Sequence, residues 1–326
     1  MKVFVVGGSG ALGRRVTKLL VEAGHEVRAT ARTESARAAT EAAGATPTHL
    51  DIFDPEALGP AVAGQDAVVR LTTRIPPLKT MRRAVAWRET ARLRNNSARK
   101  IVDACIAAGV GTYVHESVSF MYADGGDAWL DEDSPVDVER AVPLRDAHSG
   151  ETHARRFTEG GGRGIVLRYA GFYAADSEQS VAMAAMARRQ RLAILGASAN
   201  FFSSIHTDDA ASATVAALGA PAGVYNVADG EPLPLHEYLE DLADAAGAPA
   251  LPHYPALIGP IALGITWRYL RRSQRVSSRR LQEATGWRPA IQCAREGWKR
   301  IAEQWAQNPP EAASSRFAAL RGMSGR

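Results

Sequence analysis

Two short stretches hold the side chains best suited to moving a proton or steadying a developing charge. In YVHESVSFMY, residues 113–122, Ser117 and Ser119 offer hydroxyls and Tyr122 a phenol. In VPLRDAHSGETHARRF, residues 142–157, His148 offers an imidazole, which titrates near neutral pH and suits proton exchange. A hydroxyl at a strand end can hydrogen-bond a substrate carbonyl and stabilise an oxyanion. Glu151 and Thr152 follow His148 by three and four residues, so one helical face would let them orient it. The second stretch has no tyrosine and no lysine. The candidates for proton handling are therefore Ser117 (with Ser119 as the alternative register), Tyr122, His148 and ordered water. A cap or turn serine and a surface histidine are the inert alternatives. His148, Glu151 and His153 do not make a metal site, because residue 153 leaves the shared face and no i,i+4 histidine pair exists.

These residues need elements to carry them. KVFVV (2–6) reads as a buried strand. A helix follows, with Leu12, Val16, Leu19, Leu20 and Ala23 on one face and Gly24 at its end. Further strands are expected over 25–31, 45–51, 66–72, 112–117 and 164–170. Helices are expected from about Pro55 to Ala63, over roughly 86–108, and across the His148 stretch. Strands alternating with helices imply an α/β fold with a parallel sheet covered on both faces, and a ligand crevice at the strands' carboxyl ends. Beyond 170 the rhythm loosens. SVAMAAMARRQRLAILG looks helical, Asp208 or Asp209 stands near a helix cap, and AREGWKRIAEQW (294–305) is amphipathic. Residues 307–326 read as a flexible tail.

Gly7, Gly10 and Gly13 lie between the first strand and the first helix. Glycine allows a tight turn and lets a pyrophosphate approach the backbone, while the helix start at Ala11 and Leu12 offers unpaired amides and a positive dipole. This strand–glycine–helix–strand context is the one a dinucleotide site requires. After the second strand come Ala31 and Arg32, with no acid before Glu34. An arginine fork suits a 2′-phosphate, so NADP(H) is expected in preference to NAD(H), with Arg14 a second phosphate candidate. Asp51 and Ile52 end the third strand, where an adenine edge could be held or a turn made. Thr72 and Thr73 would border the cofactor's middle.

The bulk numbers narrow the class. At 326 residues and 46% hydrophobic, the chain can bury a real core. No apolar run reaches the length of a membrane span, and the start lacks a signal-peptide pattern. Cys105 and Cys293 read as reduced structural thiols, so a cytoplasmic location is expected. The net charge of +4 comes from arginines mixed with 35 acids, so no nucleic-acid partner is expected, and without a span no membrane partner is expected either. The loop after the fourth strand is basic through Arg74, Lys79, Arg82, Arg83 and Arg88, and Trp87 anchors it. It reads as a cover for an anionic or carbonyl-bearing small molecule, or as a solvated loop. Phe172 and Tyr173 suit a pocket wall or the core equally.

Together these features resemble the extended short-chain dehydrogenase/reductases, the NAD(P)-dependent epimerase/dehydratase group, over about residues 1–305. GGSGALG resembles the glycine loop, LDIFDPEAL the adenine-side segment, and DACIAAGVGTYVHESVSFMY the helix and serine strand ending in a tyrosine. GIVLRYAGFY resembles the segment beneath the nicotinamide. SSIHTDDAASATVAAL, GVYNVADGEPL and LQEATGWRP resemble the carboxyl-terminal landmarks. The resemblance implies a Rossmann domain (1–170 plus about 205–230) of six or seven parallel strands. It also implies a smaller substrate domain (about 171–204 and 231–306), a cytoplasmic location and often a homodimer. It matches Ser117 to the family serine and Tyr122 to a supporting tyrosine. The family's catalytic Tyr-x-x-x-Lys would fall on Pro143 and Ala147, so the pair is missing. The implied activity is NADP(H)-dependent redox chemistry on a small carbonyl or alcohol compound. The alternatives are an epimerase, dehydratase or cyclase without net redox, or a non-catalytic NADP(H) sensor.

Overall fold

A computed structural model of the chain describes residues 1–309 except 140, 197 and 198. Part of the expected tail, residues 310–326, lies outside the described residues. Seven strands form one all-parallel sheet: β1 Lys2–Val6, β2 Glu26–Thr30, β3 Thr46–Thr48, β4 Ala67–Arg70, β5 Thr112–Val118, β6 Arg163–Tyr169 and β7 Gly223–Val227. Their order is β3-β2-β1-β4-β5-β6-β7. Strand order reverses between β1 and β4, which opens a crevice at their carboxyl ends. This is the doubly wound Rossmann arrangement.

The helices of eight or more described residues are α1 Ala11–Glu22, α2 Glu34–Ala42, α3 Pro55–Val62, α4 Ala98–Ala107, α5 Val142–Glu159, α6 Glu178–Arg188, α7 Thr207–Ala216, α8 Leu235–Ala245 and α9 Ala294–Gln307. β1 forms because its Val and Phe side chains fill both faces of the sheet. Val3 and Val5 join Leu12, Val16 and Leu20 of α1 and the alanines of α7, while Phe4 and Val6 join Leu58 of α3, Ile101 and Val102 of α4, and Phe157 of α5. A third core gathers Tyr173, α8 and α9 around the fully buried Trp298.

Several boundaries differ from the sequence expectation. β3 stops at Thr48, so Asp51 and Ile52 lie in the turn beyond it. Asp51 accepts a hydrogen bond from the Phe53 amide, and Asp54 caps α3. The helix expected over 86–108 is a composite. A tight turn at Ala84–Trp87 leads through Arg88–Ala91 into a π-helical run at Arg92–Ser97 and then α4. α6 ends at Arg188, and Ile194–Leu195 pairs instead with His253–Tyr254. His206, not an aspartate, caps α7, while Asp209 accepts from the amides of Ala290 and Ile291. Both cysteines are free thiols.

The glycine turn is the tightest part of the fold. Gly7 sits at φ +99°, and a Cβ there would lie 3.0 Å from the Leu71 carbonyl carbon. A Cβ on Gly13 would lie 2.0 Å from the Gly7 carbonyl oxygen and 2.9 Å from the Gly8 Cα, whereas one on Gly10 would stay 3.4 Å from that oxygen. Backbone atoms cannot swing aside as a side chain can. Gly13→Ala is therefore expected to destabilise the chain by about 1–3 kcal/mol, the cost of overpacking. Gly10→Ala, at the helix cap, should cost no more than about 1 kcal/mol. Urea unfolding of both variants checks this, and equal losses would contradict it.

Candidate cofactor and active site

The crevice begins at the amino end of α1. The cap residue Gly10 has no side-chain hydrogen bond, and the first turn carries no acid. The first amides of a helix have no acceptor within it, so those of Ala11, Leu12 and Gly13 remain for an anion. The Gly7 amide donates to Thr30 Oγ1 at 2.8 Å, which pins the turn to the end of β2. Thr72 and Thr73 continue β4 next to Gly7, and both hydroxyls are buried without a partner among the described residues. Open amides, a turn that admits no Cβ and two orphaned hydroxyls together fit a dinucleotide.

A recess adjoins the glycine turn. A cavity of about 320 Å³ lies between α1 and α2, lined by Gly8, Ser9, Arg14, Thr33, Ser35 and, further along α2, Ala39 and Ala43. Arg32, just beyond β2, is exposed and makes no ion pair among the described residues. Arg14 pairs with Asp176, and both side chains are about half exposed.

The three proton-handling candidates converge on Glu151. Ser117 donates to Glu151 Oε1 at 2.7 Å. Arg168 of β6 clamps the same carboxylate with two bonds, at 2.8 and 2.7 Å. His148 places Nδ1 3.8 Å from Glu151 Oε2, and its side chain is 40% exposed. Arg168 also donates to the Tyr122 hydroxyl at 3.0 Å, and Tyr122 donates to Asn226 at 2.7 Å. Ser117 and Tyr122 are fully buried, while His148 reaches solvent. Burial pushes the Tyr122 phenol up to about 12, against the opposing pull of Arg168. Burial also lowers Arg168, but the bonds to Glu151 outweigh it and hold the guanidinium above its ordinary range.

A second ionic cluster lies beside the first. Glu116 stands 3.0 Å from Arg94 and 3.5 Å from Arg70, all three buried. Arg70 also donates to the carbonyls of Thr72 and Leu93. Burial, with Arg70 adding, keeps His115 well below the usual imidazole range and therefore neutral. Arg70, Arg94, Glu116, Arg168 and Asn226 were not singled out from sequence. For Arg70, Glu116 and Arg168 a signal is present, since charged residues end apolar strands in AVVR, YVHES and VLRY and a buried charge requires a partner; Arg94 and Asn226 carry no such signal.

Other candidates fall outside this centre. Trp87 is buried, its indole N–H donating to the Met81 carbonyl. Tyr173 packs against Trp298 and Tyr238 in the third core, and Phe172 is partly buried beside Tyr169. Among the described residues no cluster could hold a metal ion.

Comparison with known proteins agrees with this geometry. A family model described as NAD(P)H-binding matches residues 7–153. The chain is 31% identical to a 3-diazoavenalumate denitrifying reductase from Streptomyces sp, covering 91% of this chain and 99% of that protein. It is 28% identical to a 2-alkyl-3-oxoalkanoate reductase from Stenotrophomonas maltophilia (strain K279a), covering 76% and 77%. Similar solved folds include a human epimerase family protein with NADPH (TM-score 0.77, 24% identity, 93% and 99% covered). Another is a dTDP-glucose 4,6-dehydratase from Streptomyces venezuelae (TM-score 0.77, 21% identity, 94% and 98% covered). With its sheet order, glycine turn and full-length kinship to a reductase, the chain belongs to the extended short-chain dehydrogenase/reductases, the NAD(P)-dependent epimerase/dehydratase family.

Proposed function

We propose that the protein is an NADP(H)-dependent oxidoreductase that moves a hydride to or from a small carbonyl or alcohol compound without a tyrosine–lysine proton pair. One observation carries the reading: the chain combines a glycine turn and open helix amides that fit a dinucleotide with a helix, α5, that has neither residue in its 18 positions. Pro143 and Ala147, where the resemblance would put the pair, are buried. When bound, the reduced nicotinamide supplies a hydride. The chain's own residues do the rest. The α1 amides hold the diphosphate, and Thr72 and Thr73 offer hydroxyls to the cofactor's middle. The Ser117 proton is committed to Glu151, which leaves the serine oxygen as a positioning group. His148 is the titratable group of this cluster open to solvent, so a proton reaches the substrate through it or through water. Tyr122 supports the site by fixing Arg168. The NADP(H) preference rests on the uncommitted Arg32 guanidinium and the recess beside Thr33 and Ser35.

A second reading keeps the hydride and changes the acceptor. The Streptomyces relative is named for denitrifying a diazo compound. When a hydride adds to a carbon bearing a diazonium group, the new C–H bond takes the hydride pair. The C–N pair leaves with dinitrogen, and no proton is consumed. A site without an enzyme acid loses nothing in such a reaction.

Reduced-nicotinamide absorbance, followed against a panel of carbonyl and aryl diazonium compounds with headspace nitrogen measured, tests both readings. Net oxidation above the enzyme-free rate supports reductase action, and nitrogen release selects the second acceptor. Product without net oxidation would indicate an epimerase or dehydratase, and binding with silence throughout would leave a sensor. Arg32→Ala should weaken NADP(H) by about 1–3 kcal/mol and leave NAD(H) nearly unchanged; equal losses would remove the phosphate assignment. His148→Ala should lower turnover of a carbonyl substrate by about 10²-fold or more while cofactor affinity holds. Unchanged turnover would assign the proton to water.

A further inference from the structure

Two segments beside the crevice combine cations with bare apolar side chains and lack acids altogether. Residues 74–88 follow Thr72 and Thr73, and residues 251–271 dock against them. The Arg82 carbonyl accepts from the Ile265 amide at 3.2 Å, and its guanidinium donates to the Ile261 carbonyl. Neither segment contains a single Asp or Glu. Between them they expose Arg74, Lys79, Arg82, Arg83, Arg88, Arg268 and Arg271, none in an ion pair among the described residues. Elsewhere arginines are commonly paired, as Arg15, Arg156, Arg280 and Arg295 are. Without these seven cations the net charge of +4 would be −3, so the basic character of the chain resides in this patch.

The same segments hold five of the eight exposed large apolar side chains among the described residues. Leu257 and Ile261 are 76% and 75% exposed, and Ile75, Val85 and Tyr254 are also bare. Such side chains cost free energy in water unless something covers them. From Pro252 to Trp267 the chain carries no Lys, Arg, Asp or Glu, and arginines follow directly. Apolar residues beside unpaired cations are the pairing that an anionic bilayer satisfies. Acyl chains take the apolar tips, lipid phosphates take the cations, and no matching protein shape is needed.

We propose that residues 74–88 and 251–271 form a surface that docks the protein on an anionic lipid bilayer. This is peripheral contact: no described helix is long and apolar enough to cross a membrane. It departs from the expectation of no membrane partner, which rested on the missing span. A second copy of the chain is a poor occupant, because it would set like charges against each other. Docking here would hold the crevice mouth against the bilayer, where an apolar substrate concentrates.

Flotation of the full chain with vesicles tests the proposal. The vesicles are phosphatidylcholine alone, or phosphatidylcholine with one-third phosphatidylglycerol, each at low and high salt. The chain should float only with the anionic vesicles and be released by salt. Arg83→Gln with Arg268→Gln removes two cations at about 1 kcal/mol each, so binding should fall about 30-fold. Leu257→Ser with Ile261→Ser keeps every charge and should cost at least about tenfold. All four positions are exposed, and unchanged thermal melts would show that both variants fold. No flotation by the parent chain overturns the proposal. Full binding by the serine pair also overturns it, since charge alone would then suffice. Binding to polyglutamate without flotation assigns the surface to an acidic protein instead.

Discussion

Gly13 has no Cβ, and that absence lets the first turn of α1 lie directly on the peptide of Gly7. The contact leaves no room for a single extra carbon. It fixes how closely the helix start approaches the end of β1, and hence where the free amides of Ala11, Leu12 and Gly13 point. The constraint spreads outward. Gly7 is held against Leu71 and Thr72 on one side and tied to Thr30 on the other. The ends of β1, β2 and β4 are thereby locked into one rim around the glycine turn. Further from it, geometry relaxes. Arg32 and Asp51 lie in exposed connections, where a side chain can adjust to a ligand without strain in the sheet.

The opposite wall is held by charge. Two carboxylates, Glu116 and Glu151, neutralise two of the three buried guanidiniums of Arg70, Arg94 and Arg168. Burying such groups is expensive, and a hydrophobic replacement of the set need not cost stability. What the ion pairs supply is directional: they tie β4, β5 and β6 to α5 and to the π-helical run before α4. A π turn changes which residues line up along a helix, and here it carries Arg94 into contact with Glu116. Removing one partner would leave a charge unpaired in a nearly dry interior, so the wall stands or falls as a unit.

The sequence made the cradle legible because its physics is local. Three glycines between a buried strand and an amphipathic helix suit a close backbone approach and little else, and the alternation of strands with helices dictated the parallel sheet. The hub around Glu151 was half legible. Its i,i+3 relation to His148 is a helical spacing, whereas its bonds to Ser117 and Arg168 join residues 34 and 17 positions away. β3 ends sooner than the sequence suggests: Leu50 continues the apolar signal past Thr48, but Asp51 turns the chain by accepting from the Phe53 amide. The end of α6 was missed because LAIL continues the apolar run, and only its pairing with His253–Tyr254 reveals a strand. His206 escaped notice as a cap because two aspartates follow it, and Asp209 is drawn instead to the amides of residues 290 and 291.

The surroundings of residues 143 and 147 suit neither a tyrosine nor a lysine. Ala147 packs with Met121, Leu144 and Tyr269 in a small apolar cluster, and the Pro143 carbonyl faces the Arg94 guanidinium. A lysine at 147 would bury an ammonium in that cluster, and a tyrosine at 143 would need space that the proline ring now fills. With Ala147 and Pro143 packed in this way, adding the two side chains alone would not create a proton donor. The proposed cofactor contacts and proton supply thus depend on different atoms: the first on backbone with little freedom to change, the second on side chains. A chain with that division suits an acceptor that needs little acid, or one whose proton arrives from solvent past the exposed face of His148.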